Sequence, residues 1–125
     1  MKHRVIIPQN VNPIPKQFEL SAAILLRDFF QTDVEFIPTT SVNTPDVIIK
    51  NIRWEIKSPL GKGKRNIQHQ FSRAMKQSKN IVIDARRSKM DIRKIRKELK
   101  KQVTLHKSIK RLIMITKEEK IEVIK

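Results

Sequence analysis

The sequence contains no cysteine, and long apolar runs and aromatic residues are also scarce. Without cysteine there are no disulfides and no thiolate metal sites, and nothing indicates an oxidising compartment. No run approaches the ~18 apolar residues of a membrane span. The opening MKHRVIIPQN has a basic end, but its apolar stretch is too short for a signal peptide. The 125 residues predict a single domain, 1–125, with a modest core.

Two further absences narrow the possible sites. With five Phe and one Trp, recognition of single strands by base stacking has little support. The three histidines show no ligand spacing, so we interpret His3, His69 and His106 as surface residues and exclude a histidine-based zinc site.

Positive charge is what the sequence has in excess. There are 28 Lys and Arg against 12 Asp and Glu, which gives a net charge of +16 and a pI near 10.6. Such a surface attracts polyanions, of which nucleic acid is the commonest. An anionic membrane, an acidic partner protein, or a basic surface without function are the alternatives that charge alone leaves open.

Apolar periodicity predicts a mixed α/β fold. Three helical segments, 17–30, 67–78 and one opened by a Ser88–Asp91 capping box, alternate with strands. The predicted strands are 4–7, 34–37, the two apolar runs within 44–59, 81–85, and a terminal hairpin of 111–116 and 121–124. The buried stripes of the helices are expected to be Phe18, Ala22, Leu25 and Phe29; Ile67, Phe71, Ala74 and Ser78; and Ile92, Ile95, Leu99 and Val103.

The segment TPDVIIKNIRWEIKSP, residues 44–59, predicts a hairpin with a two-residue turn at Lys50-Asn51. Ile49 then faces Ile52, and Asp46 lies opposite Glu55. Alternation sorts the side chains between the two faces. One face carries Val47, Ile49, Ile52, Trp54 and Ile56, with Trp54 in the core, and the other carries Asp46, Ile48, Arg53, Glu55 and Lys57.

Facing carboxylates are destabilising unless something neutralises them. A divalent cation between Asp46 and Glu55 would do so, because Mg²⁺ is often held by one or two carboxylates with waters and a substrate phosphate. Lys57 points the same way and could stabilise an attacking hydroxide or a charged phosphorane. The alternative is an ordinary solvated ion-pair cluster of Asp46, Arg53, Glu55 and Lys57.

These residues resemble a family. Pro45-Asp46 followed by Glu55-Ile56-Lys57 is similar to the signature of the PD-(D/E)xK nuclease superfamily, whose core order is helix, three strands, helix and strand. WEIKSP, the basic loop after it, KQSKN and IVIDAR further resemble the C-terminal nuclease domain of contact-dependent growth inhibition toxins, over residues 17–100. The resemblance implies a restriction-endonuclease-like core with a third helix and a C-terminal hairpin added.

The resemblance also implies roles for matching positions. Asp46, Glu55 and the backbone carbonyl of Ile56 would bind Mg²⁺ or Mn²⁺, Glu19 of the first helix would complete the site, and Lys57 would be the catalytic lysine. The implied activity is hydrolysis of phosphodiester bonds in tRNA, with DNA as the alternative substrate and a non-catalytic nucleic-acid-binding module as the alternative function. An acidic immunity protein would be the partner, and the domain would act in the cytoplasm of a target cell after delivery within a larger toxin.

Basic and polar residues outside the hairpin are the expected nucleic-acid contacts. The loop SPLGKGKR holds the only two glycines, Gly61 and Gly63, interleaved with Lys62, Lys64 and Arg65, and it lacks the spacing of a P-loop. Its alternative role is a simple connector. A polar stripe on the second helix and the arginines after IVIDA would extend the contact surface; its candidate residues are Gln70, Arg73, Gln77, Arg86 and Arg87. The third helix is a partial candidate for a membrane-surface helix.

Overall fold

The computed structural model describes residues 2–11, 13–38 and 45–125. Within them, three helices and a seven-stranded mixed sheet confirm the predicted α/β fold and the predicted order of elements. The elements are β1 (Val5–Ile6), α1 (Gln17–Phe30), β2 (Val34–Phe36), β3 (Val47–Ile49), β4 (Ile52–Lys57), α2 (Lys64–Met75), β5 (Asn80–Asp84), α3 (Ile92–Leu105), β6 (Arg111–Ile115) and β7 (Ile121–Val123).

The strands lie in the sheet in the order in which they occur in the chain. β4, β5 and β6 are parallel neighbours joined by the crossover helices α2 and α3, whereas β2–β3, β3–β4 and β6–β7 are antiparallel. Alternate residues of β5 enter different cores: Ile81 and Ile83 pack with α2 and α3, and Val82 packs with α1. The sheet therefore has α1 on one face and α2 and α3 on the other.

The β3–β4 hairpin has the predicted turn and register. Lys50 and Asn51 have φ of 50° and 66°, the left-handed conformation that a two-residue type I′ turn requires. Ile49 pairs with Ile52, and Val47 with Trp54. The predicted apolar face is confirmed, because Val47, Ile49 and Trp54 are buried and Ile52 and Ile56 pack against them. Trp54 is thus a core residue.

The pairing of β3 with β4 departs from the prediction at Asp46. The regular β3–β4 pairs end at Val47–Trp54, and the amide of Asp46 donates to the carbonyl of Trp54 at 3.1 Å. The Asp46 carbonyl accepts from the amide of Ile37 at 2.9 Å, which draws this residue toward β2. Asp46 is therefore beside Glu55 through its side chain and not as a regular cross-strand pair.

Two helix boundaries were predicted wrongly. α2 begins at Lys64, three residues before the predicted start, after an extended N-cap at Gly63, and it ends at Met75 before Ser78. Basic residues in a first turn oppose the helix dipole, so the local charge pattern does not favour a helix start at Lys64. The predicted Ser88–Asp91 capping box is absent: Asp91 itself is the N-cap and accepts from the amide of Arg93. Ser88 instead donates to the carbonyl of Gly61.

The buried face of α1 is also rotated from the predicted one. Ala22, Ala23 and Leu26 are buried, whereas Phe29 is 45% exposed. Ala23 and Leu26 lie on the helical line that begins at Glu19, so Glu19 is placed at the margin of the buried face. Among the described residues, no helix is long and apolar enough to cross a membrane.

Candidate active site

Asp46 is held at the open end of the β3–β4 hairpin. Its Oδ2 accepts a hydrogen bond from the backbone amide of Ile56 at 2.8 Å. With the two backbone bonds to Ile37 and Trp54, this contact fixes the carboxylate over β4. Asp46 therefore has its position before any ligand binds.

Glu55 is a buried acid in the middle of β4. Only 2% of its side chain is exposed, and its Oε2 lies 3.1 Å from Nζ of Lys57. Its Oε1 is buried and has no hydrogen-bond partner within the described residues. A buried acceptor without a partner is unfavourable, so this oxygen is suited to a proton shared with Asp46 or to a cation.

Burial raises the pKa of both acids. It raises the pKa of Glu55 to about 8, and the negative charge of Asp46 adds to this, while Lys57 opposes it. Burial also raises the pKa of Asp46; the charge of Glu19 adds to the rise, and the amide of Ile56 opposes it. Two acids whose pKa values are raised by burial and by each other are typical of a site that binds a cation or moves a proton.

Glu19 is near this pair without joining it. Its charge contributes to the raised pKa of Asp46, and both side chains border a cavity of about 150 Å³ whose other walls include Pro13, Pro15 and Phe36. However, its Oε1 accepts a hydrogen bond from the amide of Lys16 at 2.8 Å. In residues 2–11, 13–38 and 45–125, no three His, Cys, Asp or Glu side chains are grouped closely enough to hold a metal. The role of Glu19 as a ligand stays a prediction.

The donors present fit a hard divalent cation. Two carboxyl groups meet here, and the backbone of Ile56 lies against Asp46. The buried Oε1 of Glu55 has no partner in the described part of the chain. Oxygen ligands of this kind are those that Mg²⁺ and Mn²⁺ accept. The other ligands would come from water and substrate, as is usual for Mg²⁺.

Most of the predicted nucleic-acid contacts lie on α2 or directly beside its ends. Lys62, Lys64 and Arg65 are exposed, but Lys64 and Arg65 belong to the first turn of α2 and not to the loop. On α2, Arg73 is exposed and Gln70 is half-buried. Gln77 follows the end of α2, so the predicted polar stripe does not reach it.

Arg86 does not lie on a free surface. Its guanidinium makes a two-point contact with Asp84, at 2.9 and 2.8 Å, and also donates to Ser21 and Glu119. Only 15% of its side chain is exposed. This network joins β5 to α1 and to the β6–β7 turn, so Arg86 has a role in the fold. Its contact with nucleic acid stays a prediction.

The neighbouring Arg87 is the exposed one. Its guanidinium stacks 3.6 Å from the ring centre of Phe18, and its Nε donates to Oγ of Ser58 at 3.1 Å. Ser58 follows Lys57 in the chain, and Phe18 precedes Glu19, so this cation contacts the chain neighbours of two predicted site residues. In the sequence, two adjacent arginines follow a predicted buried strand. That pattern does not indicate which of the two side chains faces outward.

Comparisons with known proteins identify the family. The family model described as "Contact-dependent growth inhibition CdiA C-terminal domain" matches residues 43–121. No curated protein matches the chain. A chain of the solved "CdiA-CT/CdiI toxin and immunity complex from Burkholderia pseudomallei" is similar in fold, with a TM-score of 0.66, 21% sequence identity, and 98% of each chain covered. The chain therefore belongs to the family of contact-dependent growth inhibition CdiA C-terminal domains.

Proposed function

We propose that this domain is a metal-dependent nuclease that hydrolyses phosphodiester bonds, with Asp46, Glu55 and Lys57 as its active site. The observation that carries the proposal is the buried pair of acids. Among the described residues, Oε1 of Glu55 has no hydrogen-bond partner, while its Oε2 lies 3.1 Å from Nζ of Lys57. The PD-(D/E)xK resemblance of the same three residues supports it, as does the net charge of +16.

A bound Mg²⁺ or Mn²⁺ would supply an activated water and polarise the phosphate. Asp46 and Glu55 would hold the ion, with the Ile56 carbonyl and Glu19 as further candidate ligands. Lys57 is half-buried beside Glu55, where its ammonium can stabilise negative charge that develops on the phosphate. Its pairing with Glu55 keeps the ammonium directed into the site.

For the substrate we infer RNA, and tRNA first, because the resemblance to the growth inhibition nucleases extends beyond the three site residues. DNA is the alternative, since a fold does not decide its substrate. The exposed cations Lys62, Lys64, Arg65 and Arg73 would contact phosphates, with Gln70 beside them. Gln77 stays a weaker candidate because it lies beyond α2.

The partner we propose is an acidic immunity protein. The solved complex that shares this fold contains a toxin and its immunity protein. A surface with a net charge of +16 is complementary to an acidic partner, and such charges accelerate association. The CdiA family further supports delivery of this domain within a larger toxin and action in the cytoplasm of a target cell.

The test is a cleavage assay on mixed tRNA and plasmid DNA with Mg²⁺, with Mn²⁺, and with chelator. We expect divalent-dependent cleavage of tRNA. Asp46→Asn, Glu55→Gln and Lys57→Ala should each lower it by ~10² or more, and the triple variant should be little worse than the single ones, because residues that act as one unit are not additive. Arg53→Ala, which removes an exposed side chain of the same strand, is the matched control.

Cleavage of DNA but not of tRNA would contradict the proposed substrate and would leave the proposed metal-dependent hydrolysis standing. Wild-type cleavage by Lys57→Ala, or cleavage that persists in chelator, would contradict the proposed site.

A further inference from the structure

A cavity of about 650 Å³ lies apart from the two acids, on the face of the sheet that carries α2 and α3. It is a groove between the loop that follows β4 and the side of α3. Its lining residues are Lys62, Lys64, Met90, Lys94, Lys97, Glu98 and Lys101. We call it the lysine groove. Five of its seven lining residues are thus lysines.

The lysines of the groove are available to a ligand. All five are exposed, and none of them has an ion-pair partner within the part of the chain that the structure describes. Elsewhere on α3 the arginines are paired: Arg93 with Asp91, and Arg96 with Glu122. The concentration of unpaired cations in one concave surface favours an anionic ligand.

Glu98, the one acidic residue of the lining, is hydrogen-bonded within the fold. Glu98 is 6% exposed, and its Oε2 accepts from Nε2 of Gln68 at 3.2 Å and of Gln102 at 2.8 Å. These bonds join α2 to α3 beneath the lysines. They hold the two walls of the groove together, so the lysines converge on a space whose shape is set in advance.

The spacing of the α3 lysines suits a polymer with repeated charges. Lys94, Lys97 and Lys101 are three and four residues apart, so they share one side of the helix. At ~1.5 Å per residue they extend over about 10 Å of helix axis. A strand with a phosphate at each nucleotide can contact several such ammoniums, whereas a small anion would meet only one or two.

The groove opens at the same edge of the sheet as Lys57. β4 and β5 are parallel neighbours, so the segments that leave their carboxyl ends meet there. The segment after β4 contributes Lys62 and Lys64, and the segment after β5 contributes Met90. Gly61 joins these segments, because its carbonyl accepts from Ser88 and from the amide of Lys89.

We infer that the lysine groove binds the phosphate backbone of the nucleic-acid substrate at nucleotides beyond the one that is cleaved. The inference rests on the proposed nuclease function and adds an extended binding site to it. A backbone that passes Lys57 meets Lys62 and Lys64 next and then follows α3. Lysines bind phosphates without reading sequence, so the groove supplies affinity and direction and not base specificity.

The test compares two triple variants with equal charge change. The groove variant changes three lysines of the groove to Glu: Lys94, Lys97 and Lys101. The control variant changes three exposed lysines outside the groove to Glu: Lys76, Lys100 and Lys107. Binding of fluorescent tRNA is measured in chelator from 50 to 200 mM salt, where no cleavage is required. The groove variant should make the negative slope of log affinity against log salt shallower by about 2 to 3. Wild type should therefore lose about 30-fold more affinity than this variant over that range. The control variant should change the slope by less than about 1.

A second readout separates this inference from the nuclease proposal. The groove variant should raise KM for tRNA and leave its kcat, and the cleavage of a small diester such as bis(4-nitrophenyl) phosphate, at the wild-type level. If wild type cleaves nothing, the nuclease proposal fails while the binding experiment still tests the groove. Circular dichroism checks the fold, and a Lys→Gln triple at the same positions serves if the Glu variant does not fold.

Two results would overturn the inference. Equal losses of tRNA affinity in the groove and control variants would mean that total charge, and not the groove, controls binding. Unchanged tRNA binding together with weaker binding of an acidic immunity protein would assign the groove to a protein partner.

Discussion

Asp46 accepts a hydrogen bond from the backbone amide of Ile56 through Oδ2, at 2.8 Å, and this bond holds its carboxylate beside Glu55. The arrangement needs no ligand to form, since the donors that hold Asp46, the amides of Ile56 and Ile37, belong to the chain itself. It nevertheless places two acids together in a buried position, and the pKa of each is raised. The free domain is therefore expected to be less stable than a version without one of these charges.

The first prediction follows from that relationship. Asp46→Asn keeps an oxygen that can accept from Ile56 and removes the charge, so the metal-free variant should unfold at the same temperature as wild type or a higher one. It should also lose most of the stabilisation by Mn²⁺, which for wild type is ~2.7 kcal/mol when the metal is at 100 times its Kd. Thermal melts with chelator and with Mn²⁺ measure both effects.

A structural ion-pair cluster predicts the opposite result. If Asp46 mainly serves to balance Lys57, removing it leaves a cation in a half-buried position. A metal-free Asp46→Asn protein destabilised by several kcal/mol, as when a buried pair is broken, would show that the cluster is structural.

The second prediction concerns pH. The pKa of Glu55 is raised by burial from 4.5 to about 8, so the native state takes up a proton more readily than the unfolded state. The stability linked to this proton is fully present below about pH 4.5 and is lost as the pH rises through about 8. In chelator, the melting temperature should therefore fall between pH 5 and pH 9.

Glu55→Gln should flatten that decline, and Glu118→Gln, which changes an exposed acid in the β6–β7 turn, should leave it as in wild type. Mn²⁺ should stabilise wild type more at pH 8 than at pH 6, because the ligands must lose their protons to bind. A Glu55→Gln variant with the wild-type pH dependence would disprove the assignment to Glu55.

Much of this architecture could be predicted from local patterns. The hairpin follows from the alternation of Val47, Ile49 and Trp54, because a register shift of one residue would move these side chains to the other face. The positive φ values of Lys50 and Asn51 agree with the turn predicted there. α1 has the predicted bounds because Pro15 precedes it and its apolar residues recur with the helical period. These are short-range effects, which a sequence records directly.

The remaining features depend on tertiary contacts that no local pattern records. Arg86 and Arg87 are adjacent and identical in type, yet one is enclosed by Asp84 and Ser21 while the other stacks on Phe18. The first turn of α2 is helical despite its unfavourable charges, because the buried side chains of Ile67 and Phe71 anchor the helix in the core. The lysine groove combines three segments, so its concave form could not be inferred from any one of them.

The third prediction tests Glu19. Glu19→Gln keeps an oxygen that can accept from the amide of Lys16, so the stability of α1 should change by less than ~0.5 kcal/mol. If Glu19 supplies a metal ligand or its charge assists the ion, cleavage at limiting Mg²⁺ should fall by ~10-fold or more. Affinity for tRNA in chelator should stay as in wild type. Wild-type turnover at limiting Mg²⁺ would remove Glu19 from the site.

The fourth prediction tests whether Arg86 belongs to the fold or to the binding surface. Asp84 is 1% exposed, and the Arg86 guanidinium holds both of its oxygens. Arg86→Met leaves that carboxylate buried without its charged partner, with only the backbone amide of residue 86 donating to it. The free energy of unfolding should therefore fall by about 3–5 kcal/mol. The salt dependence of tRNA binding, measured where the variant is folded, should stay as in wild type.

The double variant Asp84→Asn/Arg86→Met supplies the control for this loss. It leaves no buried charge unpaired, so it should recover part of the stability that Arg86→Met loses. Together with the single variant Asp84→Asn and wild type, it completes a double-mutant cycle that measures the coupling of the pair. A smaller salt slope in a fully stable Arg86→Met protein would instead return Arg86 to the nucleic-acid surface. That result would require the guanidinium to leave Asp84, Ser21 and Glu119 when substrate binds, and the buried position of Asp84 makes such a release unfavourable.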